Sequence, residues 1–269
     1  MVTTKLMGGL GNQMFQIATV YAYAKRHGFE YGLNFDACHT PNQGNESSKY
    51  KDNFFKDINR LDDTKFYVTH KEPSFCYNKI AKNDDIVLDG YFQSEKYFKD
   101  YKDDLIKLFN PYNPSFVRLK HAAVTFLYNF GVDKKVNYND FVAVHVRRGD
   151  YLKNSDFHTN LSNTDYYKEA MNKFENKYFI FISDDINWCR ENFKGENIIY
   201  SPFTDELQDL LLMSYCGNQI IANSSFSWWG AYLRKNELID SKVIAPKQWF
   251  GPRGPKDTQD IIPDNWIKI

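Results

Sequence analysis

In the second half of the chain, short apolar runs alternate with amphipathic stretches, and the alternation predicts strands and helices in turn. Residues 141–146, 178–182, 198–200, 219–222 and 242–245 are apolar and of strand length. Residues 165–174, 185–193, 205–216 and 225–234 lie between or beside them as helices. Strands that alternate with helices imply a parallel, doubly wound sheet. The first half is harder to parse. Residues 2–7 predict a short strand, followed at once by Gly8, Gly9 and Gly11. Residues 12–27 then place Met14, Ile17, Ala18, Tyr21, Ala22 and Ala24 at helical spacing, and Gly28 is positioned to close the helix. Residues 86–88 predict a buried strand. Residues 94–108 and 115–130 predict helices, separated by Asn110, Pro111 and Pro114. Residues 36–85 show no period. The polar stretch 133–140 is the expected linker, dividing the chain into domains 1–135 and 136–269.

With 269 residues the chain has room for two domains. Lys plus Arg and Asp plus Glu both count 34, so the net charge is zero, which argues against a general nucleic-acid binder. It leaves open a local basic pocket for phosphate. No apolar run is long enough to span a bilayer, and residues 1–7 carry no secretory pattern, so a cytoplasmic location is expected. Cysteines 38, 76, 189 and 216 lack zinc-ligand spacing and are expected to be reduced and buried. Aromatic residues reach 17%; most are expected in the core, and some suit sugar stacking.

In doubly wound sheets ligands bind beyond the carboxyl ends of the strands, so the residues after each strand matter most. After 141–146 come Arg147, Arg148, Gly149, Asp150 and Tyr151, with His145 inside the strand end. Guanidinium forks suit the paired oxygens of a phosphate and stay charged at any working pH; ion pairing with surface carboxylates is the plainer alternative. After 178–182 come Ser183, Asp184 and Asp185. A carboxylate there suits the N–H groups of guanine, whereas Asp185 also fits an ordinary acid in the first turn of the next helix. After 219–222, Ser224, Ser225, Phe226 and Ser227 open a helix, either as an anion site or as simple caps. Trp228 and Trp229 are expected to pack. The loop formed by Gly8, Gly9, Leu10, Gly11, Asn12 and Gln13 falls short of a dinucleotide fingerprint, because Met14 holds the third glycine position. No two aspartates are spaced as D-x-D, the usual metal clamp on a nucleotide-sugar diphosphate. Without that clamp, cationic side chains and helix ends must neutralise a diphosphate leaving group.

These residues resemble the bacterial α-1,2-fucosyltransferases, glycosyltransferase family 11. The resemblance rests on Gly-Gly-Leu-Gly-Asn-Gln-Met at 8–14, His-Val-Arg-Arg-Gly-Asp-Tyr at 145–151, Ser-Asp-Asp at 183–185 and Ser-Ser-Phe-Ser-Trp-Trp-Gly at 224–230. Val-Ile-Ala-Pro-Lys at 243–247 and Pro-Asp-Asn-Trp at 263–266 add to it. It implies an α/β fold of GT-B type: two Rossmann-like domains facing across a cleft, the first on the acceptor side and the second holding the donor. It implies inverting, metal-independent transfer of fucose from GDP-fucose to the 2-hydroxyl of a terminal galactose, with no cofactor. Arg147 is then the principal diphosphate ligand, aided by Arg148. His145 and Asp184 help to hold the nucleotide, and Ser225, Phe226 and Ser227 line its pocket. Asn12, flanked by Gly11 and Gln13, reaches the donor from the first domain. Asp150 is the candidate base, or else the group that orients the arginines. Family context suggests a galactose-terminated or lipid-linked glycan as acceptor and a peripheral place at the inner membrane. The alternatives are an α-1,6- or protein O-fucosyltransferase sharing the arginine motif, a GDP-binding protein without turnover, and a carbohydrate-binding module.

Overall fold

The structure, a computed structural model, describes residues 1–37, 44–61, 68–110, 114–130, 137–234 and 241–269. The chain divides into two compact units, 1–116 with 255–263, and 117–254 with 264–269. The expected domain boundary at 135/136 lies outside the described residues, as does Cys38.

In the first unit, β1 (Val2–Thr4) leads through the glycine loop into α1 (Leu10–His27), and Gly28 closes that helix in the left-handed conformation. β2 (Val68–Lys71) and β3 (Ile86–Asp89) complete a parallel sheet of order β1-β3-β2. β2 arises within the stretch that shows no period: all four of its residues pair with β3, and three of them are exposed. The helix expected over 94–108 is interrupted. Two 3-10 turns, Glu95–Tyr97 and Lys99–Tyr101, precede α2 (Lys102–Leu108). At the junction Phe98 leaves the helical conformation, with φ −142 and ψ 2, and is fully buried, its ring 5.9 Å from that of Phe15. Burying the ring outweighs continuing a short helix, whose hydrogen bonds are worth only about 1 kcal/mol each net.

α3 (Pro114–Tyr128) carries the chain to the second unit. Its elements follow as β4 (Phe141–Val146), α4 (Gly149–Lys153), α5 (Tyr166–Met171), β5 (Tyr178–Ser183), α6 (Ile186–Asn192), β6 (Ile198–Tyr200), α7 (Glu206–Tyr215), β7 (Asn218–Ile220), α8 (Ser225–Tyr232), β8 (Val243–Ala245) and β9 (Ile267–Lys268). The six strands form one parallel sheet of order β6-β5-β4-β7-β8-β9. Every residue of β4 is buried, as expected of a sheet covered on both faces. Val142, Val144, Val146, Phe179, Phe181, Ile220 and Ile244 form its core with Tyr166, Tyr167 and Cys189. Two units of α/β layering with all-parallel sheets agree with the fold class the sequence implies. Among the described residues no helix is long and apolar enough to cross a membrane.

Candidate functional site at the switch point of the six-stranded sheet

The strand order sets the place of the site. From β4 the chain proceeds outward through β5 and β6; from β7 it proceeds the other way through β8 and β9. The carboxyl ends of β4 and β7 therefore flank a topological switch point, where loops diverge and leave a crevice for ligands. The arginine motif leaves β4 there, and the serine-led helix follows β7.

Arg147 is oriented by two carboxylates. Its Nη2 donates to Asp150 Oδ1 at 2.6 Å, and its Nη1 lies 3.1 Å from Asp184 Oδ2. Its guanidinium carbon sits 5.6 Å from the centre of the Tyr151 ring, whose hydroxyl donates to the Asn223 carbonyl at 2.9 Å. Burial by itself would lower the Arg147 pKa, but Asp184 and Asp150 outweigh it and raise it. The side chain remains 30% exposed, so a ligand can reach it. Asp184 also holds the backbone of the motif, its Oδ1 accepting from the Arg148 N–H at 2.9 Å. A Cβ at Gly149 would lie 2.6 Å from Asp184 Oδ2, so only glycine lets this carboxylate close on the loop.

Arg148 is committed within the protein. Its Nε donates to Asp185 Oδ2 at 3.0 Å and its Nη1 to Ser162 Oγ at 2.7 Å, while the guanidinium lies 4.1 Å from the centre of the Trp188 ring. Asp185 also caps α6, accepting from the Trp188 N–H at 3.2 Å. The two adjacent arginines thus have different surroundings, Arg147 partly exposed between Asp150 and Asp184 and Arg148 more buried against Asp185, Ser162 and Trp188.

His145 is buried at the end of β4, its ring 5.4 Å from that of Phe226. Burial, reinforced by the Arg147 charge, lowers its pKa to about 3, so the imidazole is neutral at working pH. Its Nδ1 is buried without a hydrogen-bond partner. Ser224 stands at the N-cap of α8 but makes no side-chain cap bond. The Ser227 hydroxyl donates to the Ser224 carbonyl at 3.2 Å. The positive end of α8 therefore lacks the side-chain closure that simple capping would supply, and no acid lies in its first turn.

Three other expected residues gather in the first unit. Gly11, Asn12 and Gln13 form the first turn of α1. Gly8 has φ +74, and a Cβ there would collide with the Asn12 amide. Gln13 Nε2 donates to the carbonyls of Gly8 and Asn45, both at 2.9 Å. Asn12 Oδ1 accepts from Gln93 Nε2 at 2.8 Å.

Two residues near these groups carry no local sequence signal. Gln93 is one. The other is His158, which stacks flat on Tyr151 with ring centres 3.9 Å apart and 6° between the planes. Burial lowers the His158 pKa; Asp150 opposes and Arg147 adds to that effect. Among the described residues no three His, Cys, Asp or Glu side chains gather to hold a metal ion.

A family model described as glycosyl transferase family 11 matches residues 1–269. An α-1,2-colitosyltransferase of Escherichia coli is 30% identical, over 100% of this chain and 98% of that one. An O-antigen biosynthesis glycosyltransferase of the same species, WbnK, is 28% identical over 98% and 99%. Galactoside α-(1,2)-fucosyltransferase 1 of Lagothrix lagotricha is 32% identical over 46% of this chain and 40% of its own.

Proposed function

The chain belongs to glycosyltransferase family 11, and from that premise we propose that it moves L-fucose from GDP-β-L-fucose to the 2-hydroxyl of a terminal galactose in a glycan acceptor. The observation that carries the reading is Arg147, a guanidinium aimed by two carboxylates at the end of β4, at the same switch point as the uncapped start of α8.

The β-linked donor yields an α-linked product, so one displacement with an oxocarbenium-like transition state suffices: the acceptor 2-oxygen bonds the anomeric carbon as its bond to the β-phosphate oxygen breaks, and the hydroxyl proton passes to the departing diphosphate. Negative charge develops on the departing β-phosphate oxygen, and Arg147 stabilises it where it forms. The first-turn N–H groups at Ser225, Phe226 and Ser227 supply further anion contacts. Neutral His145 contributes a hydrogen bond without adding charge. Each Asp184 oxygen keeps a lone pair beyond its bond to the arginine loop, which suits a guanine N–H. Arg148 acts through Asp185 and Trp188, bracing the loop. Asn12 presents its amide to a substrate oxygen, with Gly11 and Gln13 shaping the turn that carries it. The family's relatives support a polysaccharide precursor, such as an O-antigen intermediate, as acceptor.

Purified protein with GDP-fucose, lactose and EDTA should release GDP and form a Fucα1-2Gal linkage, read by NMR. GDP binding without this product would leave the donor site and remove lactose as acceptor; turnover lost in EDTA and restored by Mn²⁺ would overturn metal independence. The full-length similarity to a colitosyltransferase favours a second donor reading, since colitose is fucose without the 3-hydroxyl. Parallel assays with GDP-colitose rank the two donors by kcat/KM.

Asp150 bonds Arg147 in the structure, which favours an orienting role over that of base. Asp150→Asn should then lower kcat about tenfold, the loss of roughly one charge-assisted hydrogen bond, and keep the acid limb of the pH–rate profile. Disappearance of that limb would return Asp150 to the base role.

A further inference from the structure

A chain of hydrogen bonds runs from the end of β2 to Asn12, entirely within the first unit. Glu72, the residue after β2, turns its carboxylate onto the turn that follows β3. Its Oε2 accepts the Tyr91 N–H at 2.7 Å, and both oxygens accept the Phe92 N–H at 3.0 Å. The other side of the turn is held by Gln16, whose Nε2 donates to the Gly90 carbonyl at 2.9 Å and whose Oε1 accepts from the Met7 N–H at 3.0 Å. Phe92 has φ +52, a conformation that bulky side chains avoid and that costs on the order of 1–3 kcal/mol. Such a turn persists only where its surroundings over-determine it, and Glu72 and Gln16 do so from both sides.

The next residue is Gln93, 7% exposed, which donates from Nε2 to Asn12 Oδ1 at 2.8 Å. That bond decides the polarity of Asn12. A primary amide has an acceptor end and a donor end. With its oxygen taken by Gln93, Asn12 offers its N–H₂ to anything that approaches, in a helix first turn that contains no acid. A donor at this place suits a negatively charged or developing oxygen.

We propose that Gln93 is a positioning residue of the transfer reaction: it orients Asn12 so that the amide N–H₂, not the carbonyl, meets the substrate, and Glu72 holds the turn that aims Gln93. The proposal rests on the reading of Asn12 given above, and the test separates the two. Gln93→Glu is nearly isosteric but, as a carboxylate, only accepts; Asn12 must then turn its N–H₂ inward and its oxygen outward. Gln93→Met removes the donor without adding charge. Steady-state kcat and donor KM are measured for Asn12→Ala, Gln93→Glu, Gln93→Met and the double variant Asn12→Ala/Gln93→Glu, with thermal midpoints to confirm folding.

The expected result is a kcat loss of about 10²-fold for Asn12→Ala and for Gln93→Glu, as for one lost transition-state donor. Gln93→Met should fall between these and the wild type, with donor KM little changed. The double variant should be no slower than Asn12→Ala, because Gln93 acts only through Asn12. If Asn12→Ala is slow while Gln93→Glu and Gln93→Met turn over like the wild type, Asn12 keeps its role and the Gln93 proposal falls. Losses that multiply in the double variant would overturn it too, by showing an independent effect. Wild-type turnover in Asn12→Ala would overturn the reading of Asn12 and the proposal with it. Should Gln93→Glu fail to fold, Gln93→Met and its combination with Asn12→Ala decide by the same criteria.

Discussion

Replacing Arg147 with lysine is expected to lower kcat by about 10²–10³-fold, nearly as much as replacing it with alanine. The figure is that for loss of one preorganised donor from a developing oxyanion. Lysine keeps the charge, so a purely Coulombic role would survive the change. The geometry asks for more than charge. Of the five N–H donors of a guanidinium, one at Nη2 goes to Asp150 and one at Nη1 to Asp184, which fixes the plane of the fork. On the proposed reading, the remaining donors of a fork held in one plane match paired phosphate oxygens. An ammonium held by the same two carboxylates has no such plane, and its flexible stem leaves it drawn between them. Steady-state kinetics with GDP-fucose, together with calorimetric GDP affinity, would separate chemistry from binding. A lysine variant within tenfold of wild-type kcat would reduce Arg147 to a simple countercharge.

The largest stability effect is expected at Trp228→Ala. Trp228 is fully buried, stacks on Tyr232 with ring centres 4.6 Å apart and 20° between planes, and meets Trp266 at 5.4 Å and Trp229 at 5.1 Å. It thus ties α8 to the segment that carries β9. Truncating such a side chain removes its burial and leaves a cavity, at a cost of about 3–5 kcal/mol. That is a large fraction of the roughly 5–15 kcal/mol of net stability typical of a domain. At about 2–4 °C per kcal/mol, the melting midpoint should fall by on the order of 10 °C. The midpoint of denaturant unfolding at unchanged m-value measures it. A loss below about 1 kcal/mol would show that the aromatic cluster collapses to fill the gap, and that α8 is anchored elsewhere.

The arginine motif shows how far local sequence reaches. Residues 141–151 mark a buried strand that ends in paired guanidinium groups, and the structure places Arg147 at the switch point of the sheet. Nothing local distinguishes Arg147 from Arg148. Their separation depends on Asp184, Asp185, Trp188 and Ser162, which come from the strand and helix that follow and from a loop between. The short helix α4 inside the motif is also invisible in the sequence, because five residues carry no period.

What the sequence determined by itself was the order and type of the elements with a buried face. A parallel sheet covered on both sides demands continuous apolar strands, and amphipathic helices show their period, so the strands at 141–146 and 178–182 and the helix at 12–27 are legible, each within a residue or two of its structural bounds. Only the tertiary structure decided the rest. β2 pairs all four residues with β3 yet buries little, so its place depends on its neighbour's hydrogen bonds and not on its own apolarity. Phe98 interrupts a helical stretch where its ring is buried against Phe15, a partner distant in sequence. Gln93 meets Asn12 across 81 positions of sequence, and His158 stacks on Tyr151 through the course of a loop. A hydrogen bond or ring contact needs two partners in register in space. Local periodicity reports which face of an element is buried, but it does not say which distant polar atom waits on the other side.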